Sequence, residues 1–279
     1  MSQLLVNLNG RFIPHEDASV PLNDSGILYG DTLFETFRAD RNQIRLQKDH
    51  LDRLCLSARL LEFPCDRDRI ELALVQMSAA LKNEVSRLRL TLGRGPTQGF
   101  KLPSGSDCWF ALTSAAATPI HQTDRNRGAT CICAPNSRSN PLDHLPQMKR
   151  GNHADCLYAA DFAHKHNARE ALFLEKGKII EGSSSNIFAL FGEQLYTPPI
   201  DKLVLAGVTR HHIISTAIEF GLQVNEEALS LERLYESDEI WLSNAMVEIL
   251  PVTSIDGQSI NRGRLWNNIL TLYKQRTET

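Results

Sequence analysis

Long apolar runs are missing from this 279-residue chain. No stretch approaches the roughly 18 residues that a bilayer-spanning helix needs, so a membrane is not an expected partner. Concentrated charge is missing too. The 30 Lys and Arg against 33 Asp and Glu leave a formal net charge of −3, with no charge run in either half. Nucleic acid and anionic surfaces are therefore not expected partners. The six cysteines lack framework spacing, and Cys131-x-Cys133 alternates on an apparent strand. That pattern reads as packing rather than a metal pair, so no metal site is expected and a reducing, cytoplasmic setting is. The opening MSQLLVNLNGRF has no basic segment followed by an apolar one, so no secretory signal is expected. Internal repeats and low-complexity tracts are also absent. TLGRGPTQGF at 91–100 is glycine-rich after a strand, but it lacks both the Walker Lys-hydroxyl pair and G-x-G-x-x-G spacing. It reads as a loop that closes over a substrate.

What is present suffices for a sizeable core, since 42% of the residues are hydrophobic. LLVNLNGRFI alternates and turns at Asn9-Gly10, a hairpin dipeptide. TLFETFRA alternates as well, with Leu33, Glu35 and Phe37 on one face and Phe34, Thr36 and Arg38 on the other. Leu51, Leu54, Ala58 and Leu61 share one side of a predicted helix; Ile70, Leu74, Met77 and Leu81 do so on a second, starting after Asp66. SRLRLTLGR and WFALTS read as strands. Residues 115–128 are small, polar and charged, and mark a domain boundary. The expected division is a small N-terminal domain at 1–116, a linker at 117–128 and a larger domain at 129–279. Beyond the linker come ATCICA, a helix near 153–166, a hairpin turning at Lys176-Gly177, NIFAL, QLYT, a helix over 207–220, EIWLS and a final helix. Strands and helices mix without regular βαβ alternation, which argues for an α+β fold.

Several short stretches carry groups with chemistry. KIIEGSSSNIF at 178–188 places a carboxylate, Glu181, and four small polar residues between two strands. A plain turn needs only two to four such residues, so the surplus points to a ligand. Lys149 lies in the loop-like HLPQMKRGN. A lone lysine is most often a solvated surface group, but one held in an enclosed site can lose its proton and act as nucleophile or base. GVTRHHIIS at 207–215 opens a helix, either an ordinary capped start or an anion site built from free N–H groups and the Thr209 hydroxyl. LSNAMVEILP at 242–251 is a further polar turn directly after an apolar strand. Arg53 lies among leucines on its helix, where a snorkelling arginine is the simple reading.

In their order along the chain these pieces resemble the class IV, or fold-type IV, pyridoxal-phosphate enzymes. The resemblance rests on Asn9-Gly10, Tyr29-Gly30-Asp31, Phe34-Glu35-Thr36, His50-Leu-Asp-Arg53-Leu54, Asn140-Pro141, Lys149-Arg-Gly-Asn152, Glu181-Gly-Ser-Ser-Ser-Asn186, Gly207-Val-Thr-Arg210 and Ser243-Asn-Ala245. It implies a two-domain α+β fold, with a sandwich-like N-terminal domain and a C-terminal domain whose core is barrel-like. It also implies a cofactor, pyridoxal 5'-phosphate, attached to Lys149. By the same resemblance Glu181 pairs with the pyridine nitrogen, and a carboxylate there favours the protonated ring. Arg53, Val208, Thr209, Ser243, Asn244 and Ala245 hold the phosphate; Ser185, Asn186 and Gly207 complete the cofactor set. A homodimer with the active site near the interface is implied, acting on a small-molecule substrate.

The family contains branched-chain aminotransferases, D-amino-acid transaminases and aminodeoxychorismate lyases. Thr36 after Phe34-Glu35, the glycine-rich 91–100 loop and Arg87-Leu88-Arg89 in place of R-x-H resemble the lyase branch. On the face shared with Phe34 and Arg38, the Thr36 hydroxyl is expected either to hydrogen-bond the substrate or to pass a proton to the departing enolpyruvyl carbon; the alternative is a half-buried strand threonine bonded to a neighbouring carbonyl. Glu181-Gly-Ser-Ser-Ser-Asn186 and Val247-Glu248-Ile249 resemble the transaminases instead, so an aminotransferase acting on D- or branched-chain amino acids is the second expectation. A non-catalytic binding protein is the third; the joint presence of Lys149 and Glu181 argues against it.

Overall fold

The structure, a computed structural model, describes residues 4–103 and 106–277. Its chain falls into two compact units, 1–119 with 148–153, and 120–147 with 154–279.

The first unit contains β1 (Leu5–Leu8), β2 (Arg11–Ile13), α1 (Ser25–Tyr29), β3 (Thr32–Asp40), β4 (Gln43–Ile44), α2 (Gln47–Leu60), α3 (Arg67–Ala80), β5 (Val85–Gly93) and β6 (Trp109–Ala116). Its sheet runs β2-β1-β6-β5-β3-β4. The hairpin turns where expected, because Asn9 and Gly10 both take positive φ (52° and 83°), as a two-residue turn between twisted strands requires. Asp66 caps α3 by accepting from Arg69 N–H at 3.1 Å. The alternation read from the sequence holds in β3. Leu33, Phe37 and Ala39 enter a core with Leu51, Leu54 and Ala58 of α2 and Ile70, Leu74 and Met77 of α3. Phe34, Thr36 and Arg38 therefore line the opposite face of the sheet.

Residues 148–153 belong with this unit by their main-chain bonds, although in sequence they lie far beyond it. Phe34 N–H donates to the Lys149 carbonyl at 2.9 Å, and Gly151 N–H donates to that of Thr32 at 2.8 Å. The segment thus lies antiparallel along β3, with Leu33 opposite Arg150.

The second unit contains α4 (Gln122–Arg127), β7 (Ala129–Cys133), α5 (Ala154–Lys165), β8 (Glu170–Glu175), β9 (Lys178–Gly182), β10 (Asn186–Phe191), β11 (Gln194–Thr197), α6 (Val208–Phe220), β12 (Gln223–Glu226), α7 (Leu231–Tyr235), β13 (Glu239–Asn244), β14 (Glu248–Ile255), β15 (Gln258–Ser259) and α8 (Leu265–Thr277). Its curled sheet runs β12-β11-β10-β13-β14-β7-β8-β9, with β15 beside β14. Leu172, Ile187, Ile240, Leu242, Leu250 and Val252 fill one side. Ala171, Phe173 and Ile180 pack with Cys156, Ala159 and Ala163 of α5 on the other. Glu239 fixes the start of α8 by accepting from the Leu265 and Trp266 N–H groups. Mixed parallel and antiparallel pairing with helices at the faces is an α+β arrangement. Among the described residues no helix is long and apolar enough to cross a membrane.

Candidate functional site

The residues singled out by sequence fall into two groups, one in each unit. In the first unit Lys149 is half-buried. Its Nζ lies 4.5 Å from the centre of the Phe34 ring, so the side chain reaches over the sheet face that carries Thr36. The guanidinium of Arg89 sits over the same ring at 3.8 Å. Arg89 is the cross-strand partner of Thr36, so the hydroxyl, the aromatic ring and two cations share one patch.

On the other face of β3, Glu35 is buried. It accepts from Arg53 Nε at 2.8 Å and Nη2 at 2.7 Å, and its Oε2 lies 2.8 Å from His50 Nδ1. Burial alone would raise its pKa, but Arg53 and His50 outweigh that and hold it down at about 2. Burial also lowers the His50 pKa, against the pull of Glu35. Arg53 is thus held by a bidentate carboxylate that takes up its Nε and Nη2.

In the second unit, Glu181 is buried at the end of β9. Its Oε1 accepts from Arg138 Nε at 2.7 Å, and its Oε2 accepts from the Leu205 N–H at 3.0 Å. Arg138 also donates through Nη1 to Asp155 Oδ2 at 2.6 Å. Desolvation works against the Arg138 charge, but the two carboxylates hold its pKa above the ordinary arginine range. Burial would likewise raise Asp155, yet the Ser139 N–H and Arg138 bring its pKa down. Arg138 was not foreseen. Nothing in PNSRSN marks a buried arginine, because its partner Glu181 lies 43 positions away.

The serines after Glu181 are engaged by one buried acid, Glu170. Ser183 and Ser185 donate from Oγ to its two oxygens, the latter at 3.0 Å. Ser184 donates from N at 3.1 Å and from Oγ at 2.8 Å. The Ser185 O–H is therefore committed, and toward a ligand it offers lone pairs only. Asn186 Nδ2 donates to the Leu205 carbonyl at 3.0 Å. A Cβ on Gly207 would collide with Asn186 Oδ1, so only glycine lets the chain pass this closely.

α6 begins at Val208 with no side-chain cap on its first N–H groups and no acid in its first turn. Thr209 is buried beside them. Asn244 Oδ1 accepts from the Met246 and Val247 N–H groups at 2.9 Å each, which folds the Ser243–Ala245 turn. Ser243 pairs with Asn186 across β13 and β10, on the same face. Its Oγ is buried with no hydrogen-bond partner among the described residues. A buried hydroxyl without a partner costs about 1–3 kcal/mol. Together with an uncapped helix start and a glycine-only approach, it fits a phosphate-bearing cofactor, for which Ser243, Thr209 and the first amides of α6 would supply donors and Glu181 the acid.

The polar turn within 242–251 is braced from the stretch that reads as a linker. Within 117–128, residues 122–127 form α4, and Arg125 is 2% exposed. It donates to the Val247 and Ile249 carbonyls and to Glu248 Oε2. Glu248 takes φ of +61°, a left-handed conformation costly for a non-glycine and held here by those bonds. The glycine-rich loop at 91–100 is pinned by Thr97, whose N–H donates to the Asn23 carbonyl and whose Oγ1 donates to that of Lys101. It presents Phe100 almost wholly to solvent.

Residues 32–255 match the family model described as amino-transferase class IV. The chain is 34% identical over 262 residues to "Putative branched-chain-amino-acid aminotransferase" of Methanocaldococcus jannaschii, covering 92% of this chain and 89% of that one. It is 28% identical over 265 residues to D-alanine aminotransferase of Staphylococcus epidermidis, covering 93% and 92%. The crystal structure of 4-amino-4-deoxychorismate lyase from Pseudomonas aeruginosa superposes with a TM-score of 0.87 over 97% of this chain and 98% of that one; at 24% identity this is a likeness of fold.

Proposed function

The chain belongs to the amino-transferase class IV family, and from that premise we propose that it converts 4-amino-4-deoxychorismate to 4-aminobenzoate and pyruvate, a step of folate biosynthesis. The family's cofactor is pyridoxal 5'-phosphate, which when bound draws electrons from the amine-bearing carbon of the substrate. Lys149 would hold the cofactor and take the proton from that carbon. The enolpyruvyl group would then leave as the ring becomes aromatic, and its methylene carbon would gain a proton through Thr36, whose hydroxyl takes back the proton that Lys149 removed, to give pyruvate. Glu181 would pair with the ring nitrogen. Arg53, Thr209, the Val208 amide and the Ser243–Ala245 turn hold the phosphate, with Ser185, Asn186 and Gly207 shaping the approach.

The observation that carries the lyase reading is the pairing of Thr36 with Arg89 beside the ring over which Lys149 lies. A transaminase has no use for a hydroxyl that protonates a leaving carbon. The lyase substrate also brings two carboxylates, which a cationic patch attracts. Incubating the holoenzyme with aminodeoxychorismate should release pyruvate and 4-aminobenzoate in equal amounts. If neither appears while D-alanine or leucine is consumed with 2-oxoglutarate, the second reading, an aminotransferase, takes its place. That reading draws support from the two curated relatives, both aminotransferases.

A homodimer is part of the proposal. Ile27, Leu28, Tyr29 and Phe100 are large apolar side chains at least half exposed in the first unit, and Tyr29 meets Phe100 edge-on at 5.8 Å. Such a patch is costly unless covered. Sedimentation should give a dimer, and a fully active monomer would contradict it.

A further inference from the structure

Glu170 stands at the start of β8, is 6% exposed, and collects hydrogen bonds from every hydroxyl of the Ser183-Ser184-Ser185 run. Four donors on one carboxylate nearly fill its acceptor positions. Being charge-assisted, such bonds are about twice as strong as neutral ones. The loop they hold lies between Glu181 and Asn186. It is tied onward as well, since the Ser184 carbonyl accepts from Asn244 Nδ2 at 3.2 Å. Asn244 in turn receives the Met246 and Val247 N–H groups. One acid therefore links the segment after Glu181 to the 243–247 turn.

Packing alone does not hold this arrangement. A cavity of about 130 Å³ lies against Glu170, Ser184, Ser185, Asn244 and Val247. Beside that free volume, the Glu170–Ser184–Asn244 hydrogen bonds add to the β10–β13 ladder in setting the relative position of the two turns.

We infer that Glu170 is a positioning residue for the cofactor: it fixes the serine loop and, through Ser184 and Asn244, the register of the 243–247 turn with Glu181. This rests on family membership, not on the choice between lyase and transaminase. It also accounts for three consecutive serines, because each supplies one hydroxyl to the same acid.

The test uses the holoenzyme and its apo form with Glu170→Gln, Ser184→Ala and Ser184→Thr. Glutamine keeps the shape but has one acceptor oxygen for four donors. Ser184 is exposed, so Ser184→Ala folds even if Glu170→Gln does not. Titration of apo protein with pyridoxal 5'-phosphate should show at least about tenfold weaker binding for Glu170→Gln and a few-fold loss for Ser184→Ala. The visible circular dichroism of the bound cofactor should change in both, while the apo melting temperature of Ser184→Ala stays near wild type. Ser184→Thr keeps the hydroxyl and should restore affinity and dichroism. Unchanged affinity and dichroism in Ser184→Ala would overturn the inference, as would a loss in Ser184→Thr as large as in Ser184→Ala. These readouts do not involve the amino-group substrate, so they stand apart from the failure of either proposed reaction.

Discussion

Phe34 holds Lys149 at two points: its N–H donates to the lysine carbonyl at 2.9 Å, and its ring lies 4.5 Å beneath the ammonium. The first contact sets where the side chain starts, and the second limits where it ends. The main-chain bond does not depend on the side chain, so Lys149→Ala should melt within a few degrees of wild type. Turnover should vanish. Borohydride reduction should leave a cofactor mass on the Lys149 peptide of wild type and none in the variant. A variant that keeps both the visible cofactor band and activity would remove Lys149 from its role. Phe34→Leu loses the ring face under both Lys149 and Arg89; the lysine's cation–π share is about 1 kcal/mol, and turnover should slow by roughly fivefold.

Arg138 bridges Glu181 and Asp155, so its removal leaves the buried Glu181 and the half-buried Asp155 without their cation. Breaking such a pair costs about 3–5 kcal/mol. Arg138→Met should therefore lower the melting temperature by several degrees or more, which a thermal scan reads directly. Glu181→Gln leaves a neutral partner of the same shape. It should slow proton removal from the substrate by at least about tenfold while weakening cofactor binding less. Equal isotope-sensitive rates in wild type and Glu181→Gln would show that the acid does not act on the ring.

Acid should release the first unit through Glu35. Its carboxyl titrates at about 2 in the fold against 4.5 for the ordinary group, because Arg53 and His50 overcome its burial. A depressed folded pKa gives stability that is complete above about 4.5 and is lost as the pH falls toward about 2. The whole linkage is on the order of 3 kcal/mol. Denaturant unfolding followed between pH 5 and 2 should show this loss, and Glu35→Gln should flatten it while lowering stability at pH 7. The same slope in both proteins would place the titration elsewhere.

Local patterns were legible in the sequence, and long-range pairings were not. Asn9-Gly10 and Lys176-Gly177 mark hairpins because positive φ is needed at both positions of each turn, and all four residues adopt it. The inward faces of α2 and α3 follow from spacing alone. The surplus of polar residues after Glu181 is visible too, but not its cause, since Glu170 lies 13 residues before Ser183 and reads as an ordinary strand start. Arg125 shows the same limit. Its stretch has the composition of a linker, yet the carbonyls it secures lie more than 120 positions away. Val247-Glu248-Ile249 reads as a turn, whereas β14 begins at Glu248 itself, where a left-handed glutamate leads straight into a strand.

The proposed lyase reading turns on Thr36. It is half-buried on the face of β3 that carries Phe34, and it pairs with Arg89 across to β5. Residues two apart on a strand stand about 6.5–7 Å from one another, so its hydroxyl belongs to the neighbourhood of the ring that Lys149 covers. A transaminase returns its proton to the cofactor and asks nothing of this hydroxyl. A lyase must protonate the carbon of the departing enolpyruvyl group. Thr36→Val preserves the branched shape and costs little packing, so cofactor loading and melting temperature should match wild type. Loss of one proton donor in the rate-limiting step costs on the order of tenfold or more. Pyruvate release should slow by that factor, with a larger change in kcat than in KM, because the hydroxyl acts on the leaving carbon rather than on binding. Full lyase turnover in Thr36→Val would reduce Thr36 to a strand residue and take away the observation that favours elimination over transamination.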